Sequence, residues 1–167
     1  MTPIEIERKF LIEMPSLSIL AEHEARIKSI TQTYLLPIDN ETSRVRTIIE
    51  DNHVSYVKTI KRRISDLSHF EDEREISSKE YEIELKKRDK DKKTIEKTRY
   101  CIDFSEHVLE IDVYPFWNDR AILEIELSSE EESFEIPEYI KIIKEVTSDG
   151  RYKNTNLAKE IPMDIVE

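Results

Sequence analysis

A chain of 167 residues with one glycine, Gly150, has no glycine-rich loop to cradle a phosphate in the P-loop or dinucleotide manner. With one cysteine, Cys101, no internal disulfide can form, and a small core side chain in a reducing compartment is the expected role. The four histidines, His23, His53, His69 and His107, show no metal-ligand spacing, so a zinc centre is not expected. No apolar run is long enough to span a membrane, and Glu5 and Glu7 interrupt the N-terminus where a signal peptide would be apolar. A soluble, cytoplasmic protein with no membrane partner is expected. Positive charge is in deficit: 26 Lys and Arg stand against 37 Asp and Glu, for a net charge of -11. That balance argues against a nucleic-acid partner, yet it leaves room for a small polyanion in a local basic pocket.

Apolar residues recur along nearly the whole chain, and no linker, composition break or whole-domain repeat divides it. Residues 1–167 are therefore read as one domain. Period-two alternation predicts a first strand over Ile4–Leu11, with Glu5, Glu7 and Lys9 on one face and Ile4, Ile6 and Phe10 on the other. Helical spacing is expected over Leu17–Ile27, followed by strands over Ile30–Leu36, Thr42–Ile49, His53–Arg63 and Phe70–Ile76. Asp39-Asn40 and Asp51-Asn52 are turn chemistry between them. Ser77 and Ser78 with Glu80 open a helix to about Arg88, with Tyr81 and Leu85 inward. Three more strands cover Thr94–Phe104, Val108–Phe116 and Ala121–Ser128. A last short strand at Lys144–Thr147 and a terminal helix over Tyr152–Ala158 complete the set.

About eight strands with few helices predict a mainly β fold closed into an antiparallel barrel, which removes the exposed edges. On strand after strand, charged and aliphatic residues sort onto opposite faces. If the aliphatic face lined the interior, the charged face would simply be solvated. If helices and loops cover the aliphatic face, the charged face lines the bore. That face collects Glu5, Glu7, Glu71, Glu73, Glu110, Asp112, Glu124 and Glu126 against Lys9, Arg44, Arg46, Lys61, Lys97 and Arg99. So many buried charges need pairing, water or a ligand. Converging Lys and Arg suit an oxyanion, phosphate above all, and clustered carboxylates without His or Cys suit Mg²⁺ or Mn²⁺. A polyphosphate bridged to a metal satisfies both halves. For Glu71 and Glu73 a solvated edge strand is the alternative, and Glu80, Glu82 and Glu84 lie on a helix where alternate residues share no face.

Read in order, these stretches resemble the CYTH superfamily, the triphosphate tunnel metalloenzymes, nearly end to end. The signature is Glu5-x-Glu7-x-Lys9, continued by Gln32-Thr33-Tyr34-Leu35, Arg44-Val45-Arg46 and Thr59-Ile60-Lys61. Phe70 to Ile76, Glu96 to Tyr100, Leu109 to Val113, Leu123 to Leu127, Lys144 to Thr147 and Arg151 to Asn154 follow. The resemblance implies an eight-stranded barrel forming a tunnel for triphosphate and divalent metal. It implies that Lys9, Arg44, Arg46, Lys61, Lys97 and Arg99 hold phosphate, with Lys144 and Arg151 closing one end. Glu5, Glu7, Glu124 and Glu126, with Asp112 as a further ligand or water-orienting group, would hold metal. Lys9 with Tyr34 is the implied pair for activating or orienting the attacking water, with a glutamate or a second metal as the alternative.

The expected function is metal-dependent cleavage of the terminal phosphate of inorganic tripolyphosphate by a monomer or homodimer, with nucleoside and thiamine triphosphates as further substrates. The alternatives are an adenylate cyclase of the same superfamily and a non-catalytic polyphosphate-binding module. The cyclase branch often carries a His-Phe pair upstream of the signature, and only Met1 to Ile4 stand there here.

Overall fold

The expected alternation is realised as a closed antiparallel barrel. In the computed structural model, which describes residues 4–162, the strands are β1 (Ile4–Glu13), β2 (Arg26–Tyr34), β3 (Glu41–Glu50), β4 (His53–Arg63) and β5 (Ser68–Ile76). They continue with β6 (Ile95–Phe104), β7 (His107–Val113), β8 (Arg120–Leu127) and β9 (Ile142–Glu145). Apart from Ile4, the short stretch ahead of the Glu5 signature lies outside the described residues. Neighbours run β5-β4-β3-β2-β6-β7-β8-β1-β9, and β5 also pairs with β1. That last pairing closes the barrel through Ile4 opposite Phe70, Glu5 opposite His69 and Ile6 opposite Ser68. Farther along, the same flank of β1 is covered by β9, so β1 has strand partners on both sides at Ile6 and again from Phe10 to Ile12.

With no glycine at its hairpins, the chain turns there on other residues. Asp51-Asn52 joins β3 to β4 and Ser105-Glu106 joins β6 to β7, each pair with both φ angles positive, as two-residue hairpin turns require. Each such residue carries roughly 1 kcal/mol of left-handed strain that glycine would avoid. Glu24, at φ 56, does the same between α1 (Leu17–Glu22) and β2. The helix expected to reach Ile27 therefore stops at Glu22, and β2 begins at Arg26, earlier than the β-formers from Ile30 onward predict. At its other end β2 stops at Tyr34, and Leu35 makes only an isolated bridge to Arg88. β7 ends at Val113, two residues before Pro115, which has no N–H to continue a ladder. The acidic run Glu130-Glu131-Glu132 is a turn. Its outer carboxylates are used locally, Glu130 by Ser65 and Ser68 and Glu132 by His107.

Two apolar clusters position the bore. Outside the barrel, Phe10, Ile12, Ile102, Leu109, Ile111, Leu123 and Ile125 are buried beneath Leu20 of α1 and Ile140, with Phe134 and Tyr139 packed alongside. Covering that aliphatic face sends the opposite, charged face inward. The second cluster lies within. Following each inward row by two residues, Lys9 gives way to Leu11, Glu124 to Ile122, Asp112 to Tyr114 and Lys97 to Ile95. These residues meet Tyr34, Trp117, Val146 and, from the tail, Tyr152 of a 3₁₀ turn (Gly150–Tyr152) and Leu157 of α3 (Asn154–Leu157). One end of the bore is thus filled by a plug. A smaller outer cluster sets Tyr81 and Leu85 of α2 (Ser78–Leu85) against Leu35, Val45 and Ile76, as their spacing predicts.

Candidate functional site

Beyond the plug the bore is hollow, with a cavity of about 580 Å³. Every strand of the barrel except β9 contributes to its wall through inward residues. Glu5, Glu7, Lys9, Tyr34, Arg44, Arg46, Lys61, Glu71, Glu73, Arg99, Glu110, Glu124 and Glu126, all expected from the sequence, line it. Thirteen residues from eight strands converge because they occupy alternate positions of strands whose register is fixed by the buried outer face.

The charges are interlocked. Arg44 and Arg46 share one face of β3, where Arg44 lies opposite Tyr34 and Arg46 opposite Gln32. Arg46 bonds Glu73 at 2.7 Å. Burial, with the nearby Arg44 charge, pushes the Arg46 guanidinium down to about 10. Lys61 holds Glu5 at 2.9 Å and Glu71 at 3.3 Å. Burial and Arg44 oppose its charge, but Glu7, Glu5 and Glu71 outweigh them and raise its pKa. The two acids on Lys61 also bond each other. Burial would raise both; the Glu71 hydrogen bond and Lys61 instead lower Glu5, whereas burial and the Glu5 hydrogen bond push Glu71 up. Lys9 reaches Glu124 at 3.4 Å and the Tyr152 carbonyl at 3.3 Å. Arg99 spans three acids: Asp112 at 2.7 Å, Glu110 at 2.9 Å and Glu124 at 3.5 Å.

Glu7 differs from these acids. No ion pair holds it among the described contacts. Burial, then the like charge of Glu124, pushes its carboxyl up to about 7. A buried carboxylate in that condition is relieved by a cation. Among the described residues no three carboxylate, imidazole or thiolate groups form a ready-made metal cluster. The donor set fits a hard divalent ion of the Mg²⁺ type, which commonly takes one or two carboxylates and completes its shell with substrate phosphate and water.

Four expected residues are not brought to the cavity surface. Lys97 and Asp112 form its floor: their side chains are fully buried, paired at 2.9 Å, with Asp112 also gripped by both Nε and Nη2 of Arg99. Burial pushes Lys97 down to about 8 in spite of Asp112, while Arg99 and Lys97 overcome burial to hold Asp112 well below the usual carboxylate range. With its oxygens committed to cations, Asp112 is placed to orient Arg99. Lys144 and Arg151 lie on the outer side of the tail, each near the Tyr152 ring, and Arg151 is tied to Asp149 at 2.7 Å. The reason is local: Lys144 lies opposite Leu11 in the β1–β9 register and Arg151 precedes Tyr152, so both meet the plug and not the hollow end.

The tail instead sends Thr147, Lys153, Asn154, Thr155 and Asn156 to the cavity, joined by Lys28, Arg63, Asp66 and His69. None of these was singled out as a site residue from the sequence. His69 is pushed down to about 4 by burial and by Lys61 and Lys153, so a neutral imidazole stands among the cations. Lys28 and His69 continue alternations already visible on their strands; the tail residues have no periodic signal.

No protein-family model matches the chain. Over 156 residues, 93% of this chain and 93% of the relative, it is 31% identical to the inorganic triphosphatase of Acetivibrio thermocellus. It superposes on the crystal structure of the inorganic triphosphatase NE1496 with a TM-score of 0.56 and 29% identity, covering 95% of this chain and 97% of that one. HpAC1 from Hippeastrum, named for adenylyl cyclase and described as having a dominant triphosphatase activity, matches over 74% of this chain and 80% of its own. At 15% identity and a TM-score of 0.51, that likeness concerns the fold alone.

Proposed function

The chain belongs to the inorganic triphosphatases of the CYTH superfamily, and from that premise we propose that its hollow half-bore binds inorganic tripolyphosphate and hydrolyses the terminal phosphoanhydride bond with Mg²⁺ or Mn²⁺. The observation that carries the reading is the convergence of Lys9, Arg44, Arg46, Lys61 and Arg99 on one cavity, facing carboxylates that they only partly neutralise. Those five cations would hold the phosphate oxygens, and guanidinium forks match phosphate geometry in pairs. Glu7 and Glu124, with Glu5 and Glu126, would hold the divalent ion, which when bound neutralises charge on the phosphate oxygens. Lys97 and Asp112 would act from beneath by fixing Arg99, and Lys153 from the tail would meet the same anion.

Water would attack the terminal phosphorus in line, the bond to the bridging oxygen would break, and its electrons would remain on pyrophosphate. The protein's part is to fix the chain of phosphates and to offset charge on its oxygens. An inorganic chain is favoured over a nucleotide by the wall. Among the described residues Tyr34 is its one tyrosine, phenylalanine or tryptophan, and Ile30, Ile48 and Val146 its few aliphatics, so they offer little surface for stacking a base. We place the enzyme in the cytoplasm, as a monomer or homodimer.

The test incubates the protein with Mg²⁺ or Mn²⁺ and tripolyphosphate, ATP or thiamine triphosphate, and quantifies orthophosphate, pyrophosphate and cyclic AMP. Orthophosphate released fastest from tripolyphosphate is expected. Cyclic AMP with pyrophosphate would assign a cyclase instead, and tight binding without turnover a binding module.

A further inference from the structure

Tyr34 is the cavity residue whose chemistry depends most on its neighbours. A neutral tyrosine hydroxyl has two lone pairs to accept hydrogen bonds and one proton to donate. Here Gln32 Nε2 donates to the Tyr34 oxygen at 3.1 Å, and Arg44, a further donor, stands opposite Tyr34 across the β2–β3 pair. Both donors belong to residues with little freedom. Gln32 is fully buried on β2, and Arg44 lies directly opposite Tyr34 on β3. With Gln32 donating to the oxygen and a guanidinium facing it from β3, the surroundings favour the hydroxyl as a donor of its proton.

The orientation of the Gln32 amide follows from charge. Arg46 lies opposite Gln32 on β3, and Lys97 lies two register positions away on β6, opposite Ile30. Turning the carbonyl toward the cations and the amide nitrogen toward the phenolic oxygen is the favourable arrangement. Gln32 Oε1 and Arg46 Nε are both buried without a hydrogen-bond partner, so no other donor competes to hold the amide the other way. Lys92 adds a cation 5.2 Å from the centre of the Tyr34 ring while donating to Thr155, another cavity residue. A cation over the ring draws electron density from it and makes the hydroxyl the better donor.

We propose that Gln32 is a positioning residue that fixes Tyr34 as a hydrogen-bond donor to the phosphate chain, and that Tyr34 therefore does not serve as the group that deprotonates the attacking water. The proposal rests on the triphosphatase reading above. In this role the Tyr34 hydroxyl donates to a phosphate oxygen and offsets its negative charge.

The test places monofluorotyrosine, with fluorine ortho to the hydroxyl, at position 34 and measures tripolyphosphate hydrolysis near neutral pH with Mg²⁺. Fluorine makes the hydroxyl a stronger donor and a weaker acceptor. The expected result is a kcat raised about twofold; a fall would make Tyr34 an acceptor, and no change would put its proton on Gln32, and either overturns the proposal. Gln32→Glu, whose carboxylate would capture the Tyr34 proton, is expected to lower kcat about a hundredfold with KM within about threefold, and Gln32→Leu to lower it about tenfold. A folded Gln32→Glu protein with wild-type kcat would overturn it, and if that variant does not fold, the Gln32→Leu kcat decides in the same way. Should the unsubstituted enzyme release no orthophosphate, the functional reading fails separately. Calorimetric tripolyphosphate binding then tests the donor, with about twofold tighter binding expected on fluorination and unchanged or weaker binding contradicting it.

Discussion

The two ends of the bore are built from the same strands and behave as different materials. In the filled end Leu11, Ile95, Tyr114 and Ile122 pack against Trp117, Tyr152 and Leu157, all buried and apolar. Two residues along the same rows stand Lys9, Lys97, Asp112 and Glu124, buried and charged. One end stabilises the barrel by removing apolar surface from water. The other buries charge among like charges, and burial, then the like neighbours, raises Glu7 and depresses Arg46, a cost borne for binding. Stability and function are thus separated along the barrel axis, and substitutions should sort accordingly.

The largest effect falls on the hollow end. Chelation of divalent metal is expected to lower tripolyphosphate turnover by at least about a thousandfold, leaving the melting curve of the ligand-free protein essentially in place. Undiminished turnover in excess chelator, followed by phosphate release, would break the assignment of the carboxylates. Next comes the plug. Ile122→Ala should cost about 2–5 kcal/mol of stability in denaturant titration, while kcat per folded molecule stays near wild type. An Ile122→Ala protein that keeps its stability would show that the plug does not support the barrel.

The contrast was partly legible in the sequence. Leu123-Glu124-Ile125-Glu126-Leu127 sorts so cleanly that its two faces can be read directly, and the structure buries the aliphatic one. The inward rows could be followed to the plug for the same reason. The tail could not. β9 has only four residues and α3 only four, too short for a period, and tertiary closure alone decides that Lys153 faces the cavity while Arg151 does not. Alternation likewise cannot distinguish a cavity wall from the floor beneath it, which is why Asp112 and Lys97 read like Glu110 and Arg99. On β4 and β5 both faces are polar, and the fate of Glu71 and Glu73 was fixed only when β5 closed onto β1.

A smaller effect is expected at Arg46. Arg46→Ala should raise KM for tripolyphosphate about tenfold to a hundredfold and leave Tm unchanged or higher, because it removes a buried charge that Arg44 repels. A lower Tm with unchanged KM would reverse the separation of roles. The smallest effect is in pH. The Glu7 carboxyl is raised from 4.5 to about 7 in the folded protein, so the metal-free fold binds the extra proton. Its contribution is fully present below the unfolded value and is lost as pH rises through about 7. Chemical denaturation across that window should show a decline that Glu7→Gln flattens; an unaltered slope in the variant would place the proton elsewhere.

The most direct test of the account is orthophosphate release from tripolyphosphate with Mg²⁺ by wild type and Glu7→Gln, matched for melting temperature. The account predicts release by wild type and a rate about a thousandfold lower in the equally folded variant. Equal rates from the two proteins would contradict it.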